Sequence, residues 1–106
     1  MSDLLGETQV SVLMEYNRAA EKFGKAHNSP HEGYAVILEE YEEAQQESDM
    51  FLRELEYYWG SVKRNSTFSD DTLENMQAYA MRAAAEWIQV AAMCYKAMKG
   101  KEDEDS

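Results

Sequence analysis

From Pro30 to Gly100 only Gly33 and Gly60 interrupt stretches rich in Ala, Glu, Met, Leu and Gln, and Pro30 is the sole proline of the chain. Such residues lose little conformational freedom in a helix, and no run alternates as a strand would, so the fold class is all-α. A first helix is expected over about residues 3–25, with Leu5, Val12, Ala19 and Phe23 on its apolar face and Gly24 near its end. The second starts at Pro30, where Ser29 can cap the first turn, proline needs no amide, and Glu32 is spaced to complete a capping box. Tyr34, Ile37, Leu38, Tyr41 and Ala44 or Gln45 follow helical spacing and are expected on its buried face.

Ser48 and Asp49 can cap a new helix, so a break or bend is expected near Ser48, then a helix to about Trp59 or Val62 and a polar connection over residues 63–69. The last helix starts at Asp71, with Glu74 three residues on, and stops at about Lys99 before Gly100. The expected architecture is a four- or five-helix antiparallel bundle forming one domain over residues 1–99, with residues 100–106 an acidic disordered tail. The last helix carries two apolar faces, one with Leu73, Ala80, Ala84, Trp87, Ala91 and Tyr95, the other with Tyr79, Ala83, Val90 and Met93. A chain this short can hardly cover both, which implies a homo-oligomer, a dimer or a tetramer.

Charge narrows the partners. Ten basic residues face 21 acidic ones, a formal charge of -11, which repels nucleic-acid backbones and anionic membranes. No apolar run reaches the length of a membrane span and no leader is readable at the start, so a cytoplasmic location is expected. The single cysteine, Cys94, reads as an inert core residue.

The acids are not evenly spread: between Glu32 and Asp49 stand seven acidic residues and no Lys or Arg. At about 100° per residue, Glu39, Glu40 and Glu43 fall within one arc of the second helix, and oxygen ligands at that spacing suit Mg²⁺ or Mn²⁺ if another helix adds more. A solvated acidic face is the alternative. Glu86 lies on an apolar arc of the last helix, where a carboxylate needs a cation or hydrogen-bond donors; Gln89 is one turn away, and Arg82 offers an ordinary ion pair instead. His31, in the first turn of the second helix, and Lys96 are candidates to contact phosphate, and each has an ordinary structural reading as well.

The pattern Glu39-Glu40-x-x-Glu43 followed by Glu86 on an alanine-rich helix resembles the MazG-like group of all-α nucleoside triphosphate pyrophosphatases, over about residues 19–99. "HNSPHEGYAVILEE" and "AAAEWIQVAAMCYKAM" look more narrowly like a phage and bacterial branch of that group. The resemblance implies a Mg²⁺-dependent release of pyrophosphate from a nucleoside or deoxynucleoside triphosphate. It implies metal ligation by Glu39, Glu40, Glu43 and Glu86, with Glu40 or Glu43 activating water, and Gln89 standing where the family has an aspartate. A weakened nucleotide-binding or regulatory module and a structural or protein-binding helical oligomer stay open beside the hydrolase.

Overall fold

The computed structural model describes residues 2–65 and 70–105, and among them all regular structure is helical. The elements are α1 (Ser2–Phe23), α2 (Pro30–Lys63) and α3 (Asp70–Asp105). The bundle thus has three helices instead of the expected four or five, because α2 crosses Ser48 without a break. Ser48 Oγ donates to the carbonyl of Ala44 at 2.9 Å, and Gln45 Nε2 donates to Asp49 Oδ1 at 3.0 Å. The polar groups that would have capped a new helix are satisfied inside the existing one.

The starts follow local chemistry. Ser29 adopts extended backbone and its Oγ accepts from the Glu32 amide at 3.1 Å, with Pro30 in the first turn. Glu32 does not close the box on Ser29; its carboxylate accepts from the backbone and side-chain nitrogens of Asn28 at 3.2 and 2.9 Å. Replacing Ser29 by alanine is expected to cost about 1 kcal/mol in a urea melt, the usual worth of such a cap. Gly24 ends α1 at φ 96°, where a side chain would be strained. Gly100 does not end α3, which continues to Asp105, past the expected stop at Lys99. Its lack of a side chain serves close approach instead, since a Cβ there would lie 3.1 Å from Ala26 Cβ. The expected polar connection falls partly on residues 66–69, outside the described residues.

α2 and α3 run antiparallel. Arg82 Nε meets Glu47 Oε2 at 3.4 Å, and the rings of Tyr41 and Trp87 pack edge to face at 5.8 Å. α1 lies on the C-terminal half of α3, where Tyr16 meets Tyr95 at 4.8 Å and caps the carbonyl of Lys25 through its hydroxyl at 3.1 Å. Tyr16, Ala92 and Met93 form the core there, backed by Val12, Ala19, Val36 and Ile37.

With a rise of about 1.5 Å per residue, α2 and α3 are each roughly 50 Å long and α1 only about 33 Å. The two apolar faces of α3 therefore meet different fates. Ala83 and Met93 are buried and Tyr79 and Val90 half-buried; on the other face Ala91 and Tyr95 are half-buried, while Leu73, Ala80, Ala84 and Trp87 stay exposed. Cys94, seven residues after Trp87 on that same side, is exposed as well, not the core residue expected. Leu52, Leu55, Trp59 and Val62 form a second open apolar stripe on α2. The Cα radius of gyration is 17.9 Å, against about 13 Å for a compact chain of this size. Among the described residues no helix is long and apolar enough to cross a membrane.

Candidate metal centre

Continuity of α2 keeps Glu40 and Glu43 on one side of a single rod, and the antiparallel pairing with α3 brings Glu86 opposite them. One carboxylate oxygen from each of the three lies within 4.8 Å of the others. Glu40 and Glu86 are half-buried and Glu43 is exposed, so the trio opens to solvent at one side. Glu39 stands outside it, exposed on a shallow acidic depression with Glu42 and Asp49, although its charge still acts on Glu40.

Nothing cationic among the described residues settles this charge. Arg82, the basic residue nearest in sequence to Glu86, pairs with Glu47 and lies over the ring of Tyr79 at 4.9 Å. Burial, followed by repulsion from Glu43, Glu86 and Glu39, pushes the Glu40 carboxyl up to about 7. Glu86 is raised too, first by burial, then by its hydrogen bond with Glu43 and the charges of Glu43 and Glu47, with a hydrogen bond to Glu40 acting the other way. Three carboxylates crowded without a counterion fit a hard divalent ion, which takes oxygen ligands and leaves further positions for water or phosphate.

Gln89 is engaged elsewhere: its amide nitrogen donates to Glu15 Oε1 of α1 at 2.6 Å. Glu15 also accepts from Arg18, and chiefly for that reason its carboxyl sits below the usual range. Helical periodicity gave no hint of Glu15 or Glu47, since both meet α3 through contacts that span 74 and 35 positions of sequence. His31 is exposed in the first turn of α2. Lys96 lies ten residues beyond Glu86, about 15 Å along α3, and lines a separate cavity. It shares the inner side of α3 with the buried Ala92 and Met93, a placement that its spacing from them makes legible.

The raised Glu40 carboxyl ties stability to pH. Its proton is held more tightly in the folded protein than in the unfolded chain, so the benefit is whole below about pH 4.5 and is lost as pH rises through about 7. In EDTA, Glu40→Gln is therefore expected to be more stable than the native chain by about 2 kcal/mol at pH 7.5, with the gap closing near pH 4.5. Denaturant melts of both proteins across that range measure it, and an equal gap at both ends contradicts it. Compared with protein-family models, curated proteins and solved structures, the chain finds no match.

Proposed function

We propose that this protein is a divalent-metal-dependent hydrolase of nucleoside or deoxynucleoside triphosphates. It cuts between the α and β phosphates to give a monophosphate and pyrophosphate, as the MazG-like enzymes it resembles do, and works in the cytoplasm as a homo-oligomer. The observation that carries the reading is the convergence of Glu40, Glu43 and Glu86 from two helices at a point where Arg82 is drawn off to Glu47. Mg²⁺ or Mn²⁺ held there would screen the triphosphate and stabilise charge developing on phosphoryl oxygens, which matters for a chain of charge -11. Glu40 or Glu43, whichever carboxylate is not fully used by the metal, would orient and deprotonate the attacking water. The remaining carboxylates among Glu40, Glu43 and Glu86 would hold the ion. Gln89, tied to Glu15, contributes at most a neutral contact.

That tie favours one second reading, a module that binds nucleotide with little turnover, because a neutral amide stands one turn from Glu86 where a further carboxylate would strengthen the ion's hold. Both readings meet in one experiment: purified protein with Mg²⁺ or Mn²⁺ and a panel of ribo- and deoxynucleoside triphosphates, scored for pyrophosphate release and for binding. Metal-dependent release supports the hydrolase. Binding without release supports the module, and neither signal across the panel rejects both.

A further inference from the structure

At the end of the α2–α3 contact where α2 begins lies a cavity of about 870 Å³, bounded by the α1–α2 connection, the first turns of α2 and the C-terminal part of α3. Lys96 lines it and is 5 % exposed. No carboxylate or hydrogen-bond partner meets its ammonium group among the described residues, although the chain carries 21 acids. The nearest acid in the adjoining turn, Glu32, is occupied by Asn28. Among the described residues no acidic one lines the cavity, so an anion entering it would meet Lys96 without competition from a carboxylate.

The surroundings favour the anion. Lys101 adds a second cation to the lining, and Ser29 and Pro30 bring the start of α2, with its positive dipole end, to the same wall. His27 is wedged there too, with Nε2 3.3 Å from the Met93 carbonyl and its ring against Gly33, where a Cβ would meet Cδ2 at 3.1 Å. Its Nδ1 is buried without a partner. The rest of the wall, including Tyr34 and Ile37, is largely apolar. We infer that this cavity is a binding site for a small organic oxyanion, a phosphate ester or a carboxylate with an apolar or aromatic body, whose charged group pairs with Lys96. The site is independent of the carboxylate trio, about 15 Å away along α3.

Amide NMR titration in EDTA, which removes any contribution of metal at the glutamates, tests the proposal with phenyl phosphate, benzoate and inorganic phosphate as probes. Phenyl phosphate or benzoate is expected to shift the amides of Gly33, Ala97 and Gly100 at millimolar concentration, and inorganic phosphate to do so at least tenfold more weakly. The stronger organic probe identifies the head group. Lys96→Met is expected to weaken binding at least tenfold, and Lys96→Arg to retain it. No shift at these amides up to 50 mM of either organic probe, or an equal response in folded Lys96→Met, overturns the assignment. Should Lys96→Met fail to fold, wild-type shifts spread over the surface instead of these amides do so equally.

Discussion

Glu40→Gln/Glu43→Gln is expected to lose Mn²⁺ binding in a calorimetric titration and at least about a thousandfold of any metal-dependent pyrophosphate release, while keeping native helix content. Two of the three clustered carboxylates are removed, and neutral amide oxygens would hold Mg²⁺ or Mn²⁺ poorly. A thousandfold corresponds to about 4 kcal/mol of transition-state stabilisation. Glutamine fits where the glutamates sit and takes away repulsion, so the double variant should unfold at a higher temperature than the native chain in EDTA. Loss of activity with a gain in stability separates a strained ligand set from an ordinary structural one. Glu42→Gln, on the exposed side beside Glu39, is the control and should leave both measurements unchanged. Identical Mn²⁺ binding in the native and double-variant proteins would sink the metal reading.

Ala80→Glu/Ala84→Glu is expected to turn a dimer or larger assembly into a monomer of 12.2 kDa, weakening association by at least about a thousandfold, roughly 4 kcal/mol. Both alanines are exposed on the uncovered face of α3, so the charges enter no protomer core. The surface of the single chain, 7995 Å², is about 1,900 Å² more than a compact monomer of its mass would expose. That excess is the scale of one side of a large, permanent interface. A second copy laid over Leu73, Ala80, Ala84 and Trp87 would cover what α1 is too short to reach. Light scattering across micromolar concentrations measures the mass of both proteins. A cooperatively folded native monomer throughout that range would rule this out.

Much of the fold is legible in the residues, and the errors arise where packing between distant segments decides. Ser29-Pro30 marks the start of α2 because cap and proline act within one turn, and the acids at the start of α3 mark it to within a residue. The Ser48-Asp49 pair misleads because a serine hydroxyl satisfies a helix carbonyl as readily as it caps an amide, and only the surrounding packing selects between them. Gly100 misleads for a related reason: glycine serves close approach as well as helix termination, and Ala26, 74 positions earlier, decides which. Within the candidate centre, spacing brings out Glu40, Glu43 and Glu86. It cannot separate them from Glu39 or foresee that Arg82 reaches across to Glu47, since both depend on how α2 is rotated against α3.

The tight grouping of the trio also determines which ions can act on it. At about 0.15 M monovalent salt the screening length is roughly 8 Å, longer than the 4.8 Å that encloses the three carboxylate oxygens. Sodium chloride therefore relaxes the wider acidic flank of α2 from Glu32 to Asp49 more than the repulsion inside the trio, of which about half survives at 4.8 Å. Only a proton or a multivalent cation entering among the oxygens would neutralise the rest, so acidity and divalent ions are expected to act on the trio more strongly than ionic strength does.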